Sequence, residues 1–569
     1  VALNNEFKQA RDFLILHRAD YDYATREFKW PELTNFNWAL DYFDPMAEGN
    51  NNLALWIMGE DGREEKYSFA DISARSSQVA NYLRRLGLKR GDHVLLYMGN
   101  ETALWELMLA CMKLGAVMIP TSPLVALDEL QDRLVRGDVK LIATTMAESV
   151  KFDVQSPTAI KLTVDGKAPG WEDYSEATRE SANFEAEGET KATDPLLLYF
   201  TSGTTAKPKL VEHTHQSYPV GHLSTMFWIG LRPGDIHLNV SSPGWAKHAW
   251  SSFFAPWNAE ATVFIHKQQR FDAQVMLETL EKKGVTSVCA PPTVWRMLAV
   301  EDLGRYKIRL REAVSAGEPL DAEIIRKFQE AWDLTIRDGY GQTETTAQIG
   351  NSPGQKVHPG TMGKPLPGYR ITLLDRDNNP GPEGEICIDL TNHPLGVMNG
   401  YRENDIAQTP NASYYRTGDM AARDEHGCYT FVGRGDDIFK CSDYRVSPFE
   451  VESVLLEHPA VREVAVIPSP HPLRQNVPKA IIFLAKGMEP TRELALQILN
   501  HSRSRLTPFK RIRRVEFSDL PKTTSGKIRR VELRVREQKR VAANEKSQYE
   551  FWEEDFKAVL PDTWSQDLP

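Results

Sequence analysis

Leu196 Leu197 Leu198 Tyr199 Phe200 Thr201 Ser202 Gly203 Thr204 Thr205 Ala206 Lys207 Pro208 Lys209 is the stretch on which the reading of this chain turns. Its leading apolar run reads as a buried strand that feeds a loop crowded with hydroxyls and ending in two lysines. Thr201, Ser202, Thr204 and Thr205, with the backbone N–H groups around Gly203, can donate to phosphate oxygens, while Lys207 and Lys209 oppose the charge. The glycine-to-lysine spacing of a Walker A loop is absent. A strand delivering such a loop predicts an α/β domain that grips a polyphosphate.

Working outward, short apolar runs alternate with helical patterns. Residues 92–98 read as a strand, 101–114 as a helix, 116–120 as a strand and 128–145 as a helix followed by a strand. The alternation resumes with a helix over 271–283, strands over 285–290 and 311–316, and a helix over 321–332, which predicts a large parallel-sheet domain. From about Gly363 the texture changes to short β-like segments at 369–374, 384–390 and 427–432, separated by turns. After residues 433–437 a compact α+β pattern follows: a helix over 448–457, strands over 461–468 and 480–485, and a helix over 491–506. The fold class is therefore α/β: a large N-terminal domain of two α/β subdomains and a β subdomain, then a small α+β domain. The boundary falls at Gly435 to Asp437, giving domains of 1–435 (β subdomain about 363–435) and 436–545, with a patternless tail over 546–569.

The 569 residues, 41% hydrophobic and 26% charged, suit an ordinary folded protein of at least two domains and exclude a peptide hormone or lone binding module. The net charge of -10 argues against a surface given over to nucleic acid. Residues 501–540 run against that balance, with 14 Lys and Arg to 4 Asp and Glu, so a phosphate-bearing partner fits there. The five cysteines are odd in number, scattered and without metal-binding spacing, which predicts a reducing compartment. Residues 104–120, the most apolar stretch, contain Glu106 and Lys113 and fall short of the roughly 20 apolar residues of a membrane span. Without signal-peptide or transit-peptide features at the start, cytoplasmic residence is expected, with an organellar matrix as the alternative if Val1 follows a removed segment.

Further motifs follow the loop in order: Gly317 Glu318 Pro319; Asp338 Gly339 Tyr340 Gly341 Gln342 Thr343 Glu344; Tyr415 Arg416 Thr417 Gly418 Asp419; Gly433 Arg434 Gly435 Asp436 Asp437; and Lys522 Thr523 Thr524 Ser525 Gly526 Lys527. Together with the loop, this series resembles the adenylate-forming superfamily of acyl-CoA synthetases, adenylation domains and luciferases, and is most similar to the medium-chain acyl-CoA synthetases. The resemblance implies an ATP-dependent ligase that joins a carboxylic acid to the α-phosphate of ATP, releases pyrophosphate, and transfers the acyl group to coenzyme A. Two anions meet in the first step, so the site must supply fixed positive charge. Mg²⁺, ATP and coenzyme A are the implied cofactors.

By resemblance, Lys527, Thr343 and Glu344 are catalytic, and Thr204 and Glu344 hold the metal. ATP is assigned to Thr201, Ser202, Gly203, Thr204, Thr205, Lys209, Gly317, Glu318, Pro319, Asp338, Gly339, Tyr340, Gly341, Gln342, Asp419 and Arg434. Asp419 is of the type that accepts ribose hydroxyls, and Tyr340 resembles the aromatic that stacks on adenine. The thiol of coenzyme A must reach the acyl carbon from the side Lys527 occupies, so the small domain is implied to rotate about Asp436 and bring Asp443, Tyr444 and Arg445 to the site. Asp443 departs from the glycine common at its position, which bears on the pantetheine path. Acetylation of Lys527 would remove the charge that adenylation needs.

The acid is expected against Trp245, Ala246, Lys247, Ala316 and Gly341. Acetate-specific relatives have tryptophan where this chain has Gly341, so the resemblance implies an open pocket for medium-chain, branched or aryl acids. Lys247 reads either as a snorkelling lysine or as a receiver for a distal polar group. His213 and His215 share a strand face at i, i+2 but have no third ligand of suitable spacing, so zinc is not expected. A carrier-protein pantetheine is the alternative acyl acceptor; a nucleic-acid module is disfavoured because Phe509 and Phe517 are the sole aromatics of the basic segment. A homo-oligomer is left open.

Overall fold

The computed structural model describes residues 4–152, 159–201, 208–318, 320–375, 377–402, 413–441, 444–471, 474–523 and 526–556. The chain divides into two compact units, one of Val1–Ile371, Ile388–Tyr415 and Glu425–Tyr429, the other of Thr372–Cys387, Arg416–Asp424 and Thr430–Pro569.

In the first unit, an eight-stranded sheet runs in the order Gly400–Tyr401, Lys209–Thr214, Pro195–Thr201, Val117–Thr121, His93–Tyr97, Val139–Thr144, Ile160–Thr163 and Glu172–Asp173. A nine-stranded sheet runs in the order Lys364–Pro365, Ala347–Gly350, Ile336–Gly341, Glu312–Ala316, Ser287–Ala290, Ile236–Asn239, Thr262–His266, Leu53–Met58 and Glu64–Ser68. The central strands are parallel and are buried along most or all of their length, which is why their sequences are apolar runs and not alternations. The helices that cross between them carry ordinary start and stop signals. Phe69–Arg85 opens with a reciprocal capping box between Ser68 and Asp71, and Thr102–Leu114, buried on every side, stops at Gly115, whose φ of 72° suits a residue without Cβ. Trp38, Trp105, Trp228, Trp257 and Trp295 are among the largest fully buried side chains.

The second unit holds a four-stranded sheet ordered Val461–His471, Gln475–Leu484, Arg514–Phe517 and Glu550–Trp552. Helices Pro448–Leu456, Arg492–Arg505 and Arg530–Ala542 accompany it, and Phe439–Cys441 pairs with Tyr444–Val446 in a small ribbon. The segment expected to be a patternless tail supplies the edge strand, Glu550–Trp552, antiparallel to Arg514–Glu516. Under this sheet Lys479, with no exposed surface, bonds Glu516 at 2.9 Å, Glu537 at 2.5 Å and Glu550 at 2.9 Å. Among the described residues these three glutamates are the one cluster with metal-ligand spacing, and the lysine ammonium occupies its centre. Arg514, Arg536 and Arg540 add further positive charge to Glu537 and Glu516. All five cysteines are free and buried. No helix among the described residues is long and apolar enough to cross a membrane.

Candidate active site

Parallel sheets present their ligands at the carboxyl ends of their strands. In the first unit Asn239, Ala290 and Ala316 end three neighbouring parallel strands there, and Gly339, paired with Ala316, lies on a fourth. Gly317, with φ of +107°, leads from the strand Glu312–Ala316 into the exposed Glu318; Pro319 lies outside the described residues. The strand Ile336–Gly341 runs on into a turn over Gln342 to Thr345, closed by the Thr345 N–H on the Gln342 carbonyl at 3.2 Å and the Gln342 N–H on Thr345 Oγ1 at 3.0 Å. Tyr415 donates its hydroxyl to Gln342 Oε1 at 3.3 Å.

That turn carries Thr343 and Glu344, both half-buried. His213, on the strand leaving the hydroxyl-rich loop, sits 2.7 Å through Nε2 from the Thr343 carbonyl and 2.9 Å through Nδ1 from Ser217 Oγ. A carbonyl only accepts, so Nε2 carries the proton and Nδ1 accepts from Ser217. Burial lowers His213 to about 4, which keeps this neutral tautomer. His213 was read on the same strand face as His215; His215 is also buried but has neither ring nitrogen partnered among the described residues. Glu344 Oε1 accepts from Tyr401 at 2.9 Å, and Lys209 places Nζ 4.7 Å from the Tyr401 ring centre. Glu344 Oε2 has no hydrogen bond or ion pair among the described residues, and a carboxylate oxygen is of the type that can hold a hard cation. Thr201 ends its strand opposite Lys209. Ser202, Gly203, Thr204 and Thr205 lie outside the described residues.

Beside this turn is the region expected to receive the acid. Trp245 caps the short helix Ala246–Ala249, which presents Lys247 and His248. Lys247 Nζ donates to the Ala316 carbonyl at 3.2 Å. Burial pulls Lys247 down and pushes Asp338 up to about 7, and each charge partly offsets the other's shift. The Asp338 carboxyl also accepts the Gly339 N–H at 3.0 Å and the Leu320 N–H at 3.3 Å. His248, driven to about 3 by burial, pairs through Nε2 with Asn100 Oδ1 at 2.8 Å and is a satisfied core histidine.

Gly341 does not simply leave an indole's volume open. A Cβ there would lie 2.6 Å from Cη2 of Trp250 and 2.4 Å from the Thr346 carbonyl oxygen. Another indole, from the π-helical turn Trp250–Phe254, already leans on that glycine, and its Nε1 donates to the Tyr218 hydroxyl at 3.0 Å. Tyr218 in turn stacks obliquely on His213, with ring centres 4.2 Å apart. The wall of this region is thus Trp250, and a buried chain of side chains ties it to Thr343.

In the second unit, Asp419 is 4% exposed in the strand Tyr414–Arg423 and pairs with Arg434 Nη1 at 3.2 Å. Arg434 Nε also lies 3.5 Å from Asp436, and the neighbouring Asp437 pairs with Arg534. Tyr444 is 50% exposed and stacks on Phe509 at 4.3 Å. Arg445 continues its strand, and Asp443 lies outside the described residues. Lys527 is exposed, its N–H on Thr523 Oγ1 at 3.2 Å and its carbonyl accepting from the Thr523 N–H at 2.8 Å; Lys522 is paired with Glu463. The residues that sequence reasoning missed are Tyr401, Tyr218 and Trp250. None lies in a phosphate-type motif; the nearest signal was the run of aromatics around 250–257.

The chain matches the AMP-binding enzyme family over residues 46–402 and the AMP-binding enzyme C-terminal domain over residues 450–527. It is 44% identical to 4-hydroxybutyrate–CoA ligase 1 of Metallosphaera sedula, covering 91% of this chain and 94% of that one. It is 36% identical to the mitochondrial acyl-coenzyme A synthetase ACSM3 of Homo sapiens, covering 92% and 93%. Among solved structures, the anthranilate CoA ligase AuaEII in complex with anthranoyl-AMP superposes with a TM-score of 0.80 at 28% identity, over 90% of this chain and 98% of that one. With the Thr343–Glu344 turn beside the strand pair of the hydroxyl-rich loop, these matches identify the chain as a member of the adenylate-forming AMP-binding enzyme family, an AMP-forming acyl-CoA synthetase that makes acyl-CoA from a carboxylic acid, ATP and coenzyme A by way of acyl-AMP.

Proposed function

We propose that the acid is larger than acetate, of about four carbons or more, and that its far end meets an apolar wall with one polar anchor. The observation that carries this reading is Lys247: an ammonium offers three donors, and among the described residues it uses one, on the Ala316 carbonyl. A largely buried ammonium with spare donors suits a distal hydroxyl or carboxylate better than a bare methyl end. The 4-hydroxybutyrate–CoA ligase relative supports a short acid with a polar end, and the anthranilate ligase supports an aryl one.

The residue roles follow from the chemistry. A carboxylate oxygen of the acid bonds to the α-phosphorus as the bond to pyrophosphate breaks; Lys527 offsets the charge gathered there, and Thr343 donates to the α-phosphate. Asp419, already oriented by Arg434, accepts from the ribose hydroxyls, while Tyr340 faces adenine. Glu344 with Thr204 would hold Mg²⁺, which would neutralise charge on the phosphates. In the second step the thiolate of coenzyme A attacks the acyl carbon and AMP leaves. Rotation about Asp436 exchanges Lys527 for the Tyr444 ribbon between the steps, and the exposed face of Tyr444 offers coenzyme A a flat surface. A reaction that draws on ATP, Mg²⁺ and coenzyme A, in a chain with free cysteines, suits a reducing compartment, the cytoplasm or an organellar matrix.

The test is pyrophosphate release with acetate, butyrate, 4-hydroxybutyrate, hexanoate, octanoate and benzoate, on the natural sequence and on Lys247→Met. Butyrate or a larger acid should exceed acetate at least tenfold, and the variant should lose any hydroxy-acid preference while keeping hexanoate. A wild-type preference for acetate refutes the size claim; an unchanged hydroxy-acid preference in the variant refutes the anchor.

A further inference from the structure

Tyr401 closes the short edge strand Gly400–Tyr401, where it lies opposite Val211 of the strand leaving the hydroxyl-rich loop. Lys209 stands two residues before Val211, on the same sheet face, and is therefore the diagonal neighbour that a long side chain can reach. Its Nζ lies 4.7 Å from the centre of the Tyr401 ring, while the Tyr401 hydroxyl donates to Glu344 Oε1 at 2.9 Å. One aromatic side chain thus sits between a lysine and a glutamate, and among the described residues those two form no ion pair.

The backbone holds this wedge firmly. Residues 396–402 form a strap between the Thr343–Glu344 turn and the Lys209 strand. On one side the Thr346 N–H reaches the Gly396 carbonyl at 3.0 Å, and the Met398 N–H reaches the Glu344 carbonyl at 2.8 Å. On the other the Asn399 N–H reaches the Glu212 carbonyl at 2.9 Å, and the Arg402 N–H reaches the Leu210 carbonyl at 3.0 Å. Glu344 and Lys209 are therefore spaced by hydrogen-bonded chain on both flanks and by a ring in the middle.

A phosphate site needs both charges, and left alone they attract each other. Paired together, the lysine is lost to phosphate and the carboxylate to the cation. The ring face takes the ammonium by cation–π attraction, and the hydroxyl takes one carboxylate oxygen by a charge-assisted hydrogen bond. The second oxygen stays open. We propose that Tyr401 is a positioning residue of the ATP site, a spacer that keeps Lys209 and Glu344 apart and aims Glu344 at the metal of Mg–ATP. The proposal rests on the reading that Glu344 holds the cation.

Calorimetric ATP binding to the full chain, with no acid present and with or without Mg²⁺, separates the two duties. Tyr401→Phe keeps the ring and removes the hydroxyl: Mg-free ATP affinity should stay within about twofold, while the gain in affinity on adding Mg²⁺ should fall about tenfold. Tyr401→Leu removes both, so Lys209 should collapse onto Glu344 and Mg-free affinity should also fall about tenfold. Adding Glu344→Gln to Tyr401→Leu removes the trap and should restore the Mg-free affinity. Equal losses with and without Mg²⁺ in Tyr401→Phe, no loss at all, or no restoration in the double variant overturns the proposal. If Glu344→Gln alone leaves the Mg²⁺ gain intact, the cation assignment itself falls, and the spacer role falls with it.

Discussion

Replacing Gly341 with alanine adds one methyl group to the strand that carries Tyr340. The added Cβ would stand 2.4 Å from the Thr346 carbonyl oxygen, about 0.6 Å inside the 3.0 Å below which real Cβ contacts essentially do not occur. The Trp250 ring edge at 2.6 Å blocks a second direction. A flexible side-chain tip could yield, but a backbone carbonyl just ahead of the next strand cannot move without shifting the turn that holds Thr343 and Glu344. Overpacking of this kind costs about 1–3 kcal/mol. A displacement approaching 1 Å in a group that positions reactants costs about 100-fold in rate. We therefore predict that Gly341→Ala lowers kcat/KM by about 10- to 100-fold for acetate, butyrate and benzoate alike, measured by pyrophosphate release. Trp250→Leu in the same chain should recover little, since the carbonyl contact remains. Selective loss of the larger acids with acetate spared would refute this reasoning, and would show that residue 341 sets pocket size directly, as the sequence resemblance alone implies.

Three further predictions follow from the ionisable groups and the hinge. Asp338 keeps its proton up to about 7 when folded, against an ordinary value near 4 in the unfolded chain, so the folded state holds an extra proton between these values and loses stability as pH rises across them. Asp338→Asn should therefore gain on the natural sequence in unfolding midpoint between pH 4 and pH 8, by up to a few kcal/mol; a constant difference contradicts it. Lys479→Met strands three buried carboxylates and should destabilise the second unit by about 3–5 kcal/mol in urea, whereas a loss below 1 kcal/mol would mean that the surrounding arginines suffice. Asp436→Pro fixes φ and should let acyl-AMP accumulate on the enzyme while thioester formation falls, and normal multiple turnover would remove Asp436 as the pivot.

Strand and helix positions in the parallel-sheet region were legible because buried strands and crossover helices leave different periodicities. The helix expected over 101–114 is Thr102–Leu114, and the strand expected over 311–316 is Glu312–Ala316. The edge strand Glu550–Trp552 was not legible, since three residues with Glu550 buried against Lys479 carry neither alternation nor an apolar run. Residues such as Thr343 and Asp419 could be put forward as candidates because their motifs resemble those of a known family. Trp250 and Tyr401 could not: each acts through a neighbour distant in sequence, Gly341 in one case and Lys209 and Glu344 in the other. Only the folded chain brings those pairs together. The Trp250 ring beside Gly341 was not legible for the same reason, because it comes from a π-helical turn about ninety residues away.

Of the two chemically separate steps, Lys527 is proposed to serve the first alone. The direct measurement compares the half-reactions of Lys527→Ala: acyl-AMP formation from ATP and acid, and acyl-CoA formation from supplied acyl-AMP and coenzyme A. The account predicts that the first falls by at least about 100-fold while the second stays within about threefold of the natural sequence, since the lost charge acts on the α-phosphate and not on the thiol. Equal loss in both half-reactions would contradict it.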